Sequence, residues 1–324
     1  MYNMVKRIIT TLIIISGGGL FFSQVKIDST KEEVFIDYEN DVKWISKVKS
    51  LNMGEVEYHN KNISVVESFK YINENSDIYI NYNNVIGKYI NKYMSYSWLP
   101  RIYGLLEFYE PLLEAKLKQY GLPLHLKYLV IVESNLNPQA GSWVGASGLW
   151  QFMPATGKNY GLAKNNKINL FYDPYLSTDS ACRYLRYLYN MLKDWNLVLS
   201  AYNAGEGRVL GAIKKAGTKN YWIVRNYLPA ETKAYAPSFH AVRYIGEAYY
   251  LYYKKKPVLK YNYAQVKEMK IKKRTSFIQF SRQYGLNLQT LYFLNPHIVT
   301  EEIPANSFVY YIKNEKLINH NNSK

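Results

Sequence analysis

One acid stands out by its surroundings. In "LKYLVIVESNLNP", Leu126 to Pro138, an apolar run ends on Glu133 and the chain then breaks at Asn137-Pro138. A carboxyl beside Leu126, Leu129, Val130 and Val132 is desolvated, and the partial negative charge of a helix C-terminus adds to the cost of ionising it. Both effects raise its pKa, which suits a general acid. No partner acid follows closely. Residues 134–172 contain no Asp or Glu, and the next acid, Asp173, precedes Pro174 in "FYDPYLSTD", where an Asp more often caps a turn. The usual pair of glycosidase carboxylates is thus missing, and no Ser-His-Asp or Cys-His arrangement replaces it. The five His (59, 125, 240, 297, 320) lack metal-ligand spacing. No metal and no organic cofactor is expected, and an enzyme built on these residues works with a single acid.

Helices must hold that acid. In "SWLPRIYGLLEFYEPLLEAKLKQYGLP" apolar residues recur at helical spacing until Gly121-Pro123 stops them. A second helix over about 124–135 carries Glu133, and the Gly-rich loop "AGSWVGASGLWQFMPATG" follows. "STDSACRYLRYLYNMLKDW" opens on Ser/Thr/Asp as capping residues and continues at 3.6 spacing. "LVLSAYNAGEGRVLGAIKKAG" reads as helix, tight turn at Gly205-Glu206-Gly207, helix. "ETKAYAPSFHAVRYIGEAYYLYYKKK" is a further helix closing on lysines. Nothing between 100 and 255 alternates as strands do, so that segment reads as all-α. After Pro257 the pattern changes: "VLKYNYAQVKEMKIKK" alternates, a short helix fits 275–284, and "SFVYYIK" fits a strand. A small module joined at Lys254-Lys255-Lys256-Pro257 is expected there. Residues 24–97 offer no usable motif.

The chain has 324 residues and a formal net charge of +16, which favours an anionic partner. Lys, Asn, Ile and 34 Tyr are all encoded by A/T-rich codons, which accounts for much of that charge equally well. No basic cluster with interleaved aromatics points to nucleic acid. The start, "MYNMVKRIITTLIIISGGGLFFSQ", pairs Lys6-Arg7 with an apolar run from Ile8 to Ile15 and reads as a secretory signal, with Ser23 as the expected cleavage point. The protein is expected to be exported, soluble in the periplasm or tethered to the membrane by an uncleaved N-terminus. Cys182 is the only cysteine, so no internal disulfide can form; it reads as a buried helical residue.

The stretch "ESNLNPQAGSWVGASGLWQFMP", with "AYNAG" at 201–205 and "ETKAY" at 231–235, resembles the goose-lysozyme-like lytic transglycosylase domain in the order and spacing of its motifs. The resemblance covers roughly 98–255. It implies a mainly α architecture, a lysozyme-like helical catalytic domain. It also implies that Glu133 is the sole acid/base, cutting the β-1,4 bond between N-acetylmuramic acid and N-acetylglucosamine in peptidoglycan strands. The muramyl C6 hydroxyl would close a 1,6-anhydro ring, replacing the missing second carboxylate with an intramolecular nucleophile. Carried over by motif position, Ser142, Gln151, Met153, Tyr184, Tyr202, Asn203 and Tyr235 are the expected substrate-binding residues, while Ser134, Gly148 and Glu231 belong to the motif framework. Trp150 departs from the Met of many relatives.

Towards the C-terminus, "TSFIQFSRQYGLNLQTLYFLNP" resembles a LysM glycan-binding module whose opening Gly-Asp is replaced by "KKRTSF". The expected organisation is signal peptide 1–23, extension 24–97, catalytic domain 98–255 and a degenerate, α+β, LysM-like module 256–324. Two other readings stay open: a muramidase of the same fold using water, and a catalytically silent peptidoglycan-binding scaffold.

Overall fold

The computed structural model describes residues 38–312, apart from 59–64, 74, 75, 77 and 80. The expected signal segment and residues 313–324 lie outside it. The chain is mainly helical, as expected. It runs through α1 (Tyr38–Ser50), β1 (Glu57–Tyr58), α2 (Val65–Asn73), α3 (Asn84–Met94), α4 (Leu99–Gln119), α5 (Leu129–Ser134), α6 (Pro154–Asn159), α7 (Pro174–Leu192), α8 (Trp195–Ala204) and α9 (Glu206–Ala216). It continues with α10 (Tyr221–Val224), α11 (Ala230–Glu247), α12 (Tyr249–Tyr252), β2 (Tyr253–Lys255), β3 (Val266–Lys270), β4 (Thr275–Ser276), α13 (Phe277–Tyr284), α14 (Leu288–Leu294), β5 (Glu302–Ile303) and β6 (Phe308–Ile312).

α11 is the central post. Every residue from Ala234 to Ile245 is buried, the mark of a helix enclosed on all sides. α3, α5 and α8 pack around it. Pro237 stands inside this helix and cannot donate to the Lys233 carbonyl; Arg225 Nε donates to that oxygen instead, at 2.7 Å. Near its C-terminal end lies Arg243, 0% exposed. Its guanidinium donates to Glu247 at 2.9 Å, to Ser76 Oγ at 2.6 Å and to the Ile78 carbonyl, while His125 Nδ1 meets Glu247 at 2.6 Å. Burial pushes the Glu247 carboxyl up, but the His125 hydrogen bond and the Arg243 charge outweigh it and hold the group below its ordinary range.

The helix boundaries refine the sequence reading. α7 begins at Pro174, three residues before the expected caps at Ser177–Asp179. Asp173 accepts from the Tyr175 and Leu176 amides at 2.9 and 3.0 Å, and Pro174 takes the first helical position. Ser177 and Thr178 therefore lie inside the helix and donate back to the Asp173 and Pro174 carbonyls at 2.6 Å. The helix bearing Glu133 opens as a 3₁₀ segment, Leu124–Tyr128, before α5. The lysines after α12 do not close a helix: Tyr253–Lys255 is a strand paired with β1. In the expected linker, Pro257 packs against α4 so closely that a Cβ on Gly104 would sit 1.6 Å from the Pro257 oxygen.

Residues 266–312 build a small α+β unit. β3 pairs antiparallel with β6 (Val266↔Ile312 to Lys270↔Phe308), β4 pairs with β5, and α13 and α14 lie between. Ser276 and Gln279 form a capping box that starts α13. Ile271, Phe277, Phe280, Leu291, Ile303 and Val309 make its own core. The unit is fastened to the helical body. Phe293 packs on Phe108 at 5.1 Å, and Tyr310 donates to buried Asp173 at 3.0 Å. Backbone bonds also join Asn169 to His297 (2.8 Å) and Val299 to Lys167 (3.0 Å).

Candidate active site

Helix α5 ends in two left-handed residues, Asn135 (φ 49°) and Leu136 (φ 61°). This abrupt turn leaves Glu133 on the wall of a cleft of about 1000 Å³. Ser134, buried beneath, bridges the Val130 carbonyl (3.1 Å) and the Leu149 carbonyl (2.8 Å), tying the helix end to the following loop. Burial pushes the Glu133 carboxyl up to about 8. The hydrogen bond from Tyr235 Oη opposes that rise, and the Glu231 charge adds to it. At pH 7 this acid keeps its proton, as the apolar run in the sequence suggested.

The 139–153 loop is locked by its own polar groups. Gly148 (φ +84°) donates to the Ala140 oxygen at 2.8 Å, and a Cβ there would lie 1.9 Å from the Phe171 oxygen, so only glycine fits. Gln151 also has positive φ (46°); its amide nitrogen donates to the Gly148 oxygen at 2.8 Å and the Ala140 oxygen at 3.3 Å, leaving its amide oxygen for a ligand. Ser142 accepts from the Ala146 amide at 2.9 Å and keeps its own proton to donate. Met153 is exposed in the cleft, and Trp143, 87% exposed, stands at its lip.

The opposite wall comes from α7, α8 and α11. Tyr202 donates to the Trp150 oxygen at 2.9 Å, and its ring lies 5.4 Å from that of Tyr184. Tyr184 reaches Glu206 Oε2 at 3.4 Å. Trp150 itself is fully buried and donates to Thr178 Oγ1 at 2.9 Å, so this departure from the motif is a core residue that seats Tyr202. Asn203 accepts from Thr232 Oγ1 at 2.8 Å and donates to Glu231 Oε1 at 3.4 Å, which commits most of its amide to the first turn of α11. Glu133, Ser134, Ser142, Gln151, Met153, Tyr184, Tyr202, Asn203, Glu231 and Tyr235 all line this cleft, and Gly148 lies behind it.

One wall is absent from the sequence reading. Lys92 and Tyr93 on α3, with Tyr96 and Trp98 just after it, close the cleft beside α11. The Tyr96 and Trp98 rings stack at 4.8 Å, and Tyr93 and Ser238 line the cleft beside them. The aromatic spacing in "KYMSYSWLP" was the available signal, but nothing local ties it to Glu133. Among the described residues no group of three His, Cys, Asp or Glu could hold a metal, and no helix is long and apolar enough to cross a membrane.

Because Tyr235 donates to the ionised form of Glu133, Tyr235→Phe should raise the carboxyl's pKa above about 8. A carbon-13 titration of labelled glutamate would follow it, and an unmoved or lowered midpoint would contradict the contact.

A helical body with one protonated acid in a long, aromatic-walled cleft defines a domain suited to acid catalysis on an extended ligand. Residues 110–224 match the family model described as the transglycosylase SLT domain. It is 36% identical over 166 residues to membrane-bound lytic murein transglycosylase D of Escherichia coli K12, covering 49% of this chain and 36% of that protein. It is 34% identical over 130 residues to the soluble lytic murein transglycosylase of the same organism, covering 37% of this chain and 19% of that one. A transglycosylase of phage PRD1 is 34% identical over 119 residues, 36% of this chain and 41% of its own length. The chain thus spans well under half the length of each of these relatives. Among solved structures, the 70 kDa soluble lytic transglycosylase of Escherichia coli aligns with a TM-score of 0.40 at 23% identity, over 53% of this chain and 30% of that one.

Proposed function

We propose that this protein is a peptidoglycan lytic transglycosylase that cuts the β-1,4 bond between N-acetylmuramic acid and N-acetylglucosamine and leaves a 1,6-anhydro-muramyl end. The observation that carries the reading is Glu133 itself, set on the cleft wall at the end of α5 with Tyr235 hydrogen-bonded to it, its carboxyl pushed up to about 8 by burial. Glu133 donates its proton to the glycosidic oxygen as that bond breaks. The resulting carboxylate then takes the proton of the muramyl C6 hydroxyl while its oxygen bonds to C1. Proton and bond count balance without water, and the acid ends as it began. Tyr235 steadies the transient carboxylate through its hydrogen bond, and the Glu231 charge favours return of the proton. The free amide oxygen of Gln151 and the hydroxyl of Ser142 supply fixed polar contacts to the sugar, with Tyr184, Tyr202 and Met153 offering it apolar surface.

In this reading residues 1–23 direct export to the periplasm, 98–255 form the catalytic domain with 24–97 preceding it, and the LysM-like 256–324 adds hold on the glycan. The test is digestion of purified sacculi followed by mass spectrometry. Muropeptides ending in 1,6-anhydro-muramic acid are expected. Reducing muramyl ends would instead identify a muramidase, and binding without products would identify a scaffold.

A further inference from the structure

We propose that Lys92, on the α3 wall of the cleft, is a specificity-determining residue that receives a carboxylate carried by a muramyl residue of the strand. This deepens, and rests on, the peptidoglycan reading of the cleft.

The argument begins with how this fold treats its other enclosed cations. Lys116 pairs with Asp179 at 2.8 Å, Lys127 with Glu110 and with Glu114 (2.8 Å), and Arg243 with Glu247 at 2.9 Å. Lys92 is half-buried in the cleft, yet its ammonium has no hydrogen bond or ion pair with any described residue. Burial lowers the pKa of its ammonium, with no carboxylate acting against that effect. A partly desolvated ammonium without a counter-charge is a cost that a bound anion would offset.

Position narrows the anion. Lys92 stands on the α3 wall of the cleft with Tyr93, and a sugar lying along that wall would bring its substituents to the ammonium. That sugar is walled by Tyr93 and the Tyr96–Trp98 stack. Along a murein strand the sugar rings are uncharged, and the anionic groups hang from the muramyl lactyl ether. In a peptide-free strand the group is the lactyl carboxylate itself; in a peptide-bearing strand that carboxylate is amide-linked and the stem supplies carboxylates in its place. Either would form a charge-assisted hydrogen bond to Nζ. Arg208 is the other cation lining the cleft, on the wall built by α9, so Lys92 is the positive group of the α3 wall.

The test uses the full chain with Glu133→Gln to block turnover, and compares Lys92, Lys92→Met and Lys92→Arg by calorimetry. Three probes are needed: peptide-free strands, the same strands with lactyl carboxylates converted to primary amides, and strands bearing stem peptides. The expected result is that Kd for the charged probe weakens about tenfold in Lys92→Met and returns to within about threefold in Lys92→Arg. The preference for charged over amidated strands should collapse in Lys92→Met. Loss on peptide-free strands assigns the lactyl carboxylate; loss confined to stem-bearing strands assigns the stem. Unchanged Kd values for both the peptide-free and the stem-bearing strands in Lys92→Met overturn the proposal. The parent reading is separately exposed: strands that bind with this preference but are never cut by the unsubstituted chain refute the enzyme and leave Lys92 standing. No binding to any strand refutes both.

Discussion

Glu133→Gln should reduce release of muropeptides from sacculi by about 10³-fold or more while glycan binding persists, since one group serves as both acid and base. Glutamine keeps the size and can still meet Tyr235, so the loss reports the proton and not the packing. Near wild-type release would move the chemistry to another residue. The same variant carries a stability signature. The folded pKa of Glu133 is about 8 against an ordinary 4.5, so the folded state binds this proton more tightly than the unfolded state does. Stability that is intact below about pH 4.5 is therefore lost progressively as pH rises through about 8. Glutamine does not ionise. Glu133→Gln should melt above wild type at pH 9 and close to it at pH 4; a gain at acidic pH would contradict the raised pKa. Catalysis and folding thus make opposite demands on this carboxyl.

The second large effect is expected at Arg243→Met, a loss of about 3–5 kcal/mol of unfolding free energy in urea. Methionine fills much of the space, so the cost comes from what loses its partner. Glu247 would keep only His125, while the Ile78 carbonyl and Ser76 hydroxyl would each lose the charged donor and keep only their bonds to one another. A double variant with Glu247→Gln should recover part of the loss, because it also removes the stranded charge. A loss below about 1 kcal/mol in the single variant would mean that the 76–78 segment is not held by this guanidinium.

What the sequence made legible was local. The apolar run before Glu133 and the turn at Gly205 (φ 85°) each depend on neighbours within a few positions. The α7 start was misplaced because Ser177, Thr178 and Asp179 resemble caps, and only the structure shows two hydroxyls turned back onto carbonyls and Asp179 spent on Lys116. The α3 wall was not legible at all. Tyr93, Tyr96 and Trp98 face the acid because α3 packs on α11, about 150 residues away in the chain, and periodicity carries no information about that pairing. Trp150 was read as a motif position, although its indole lies in the core and only its carbonyl touches the site, through Tyr202.

The contacts between the C-terminal unit and the segment leading into α7 bear on the order in which the molecule matures. Residues 167–173, which support Gly148 through the Phe171 oxygen, are bonded to 297–299 and to Tyr310. During synthesis the residues that carry the acid emerge long before those that fasten its loop. Contacts so distant along the chain form late, because closing the intervening loop costs entropy before any bond repays it. The nascent chain can hold a helical body with Glu133 in place, but the segment packed against the loop that follows the acid is secured only when residues near 300 arrive. A cleft assembled in that order becomes rigid last.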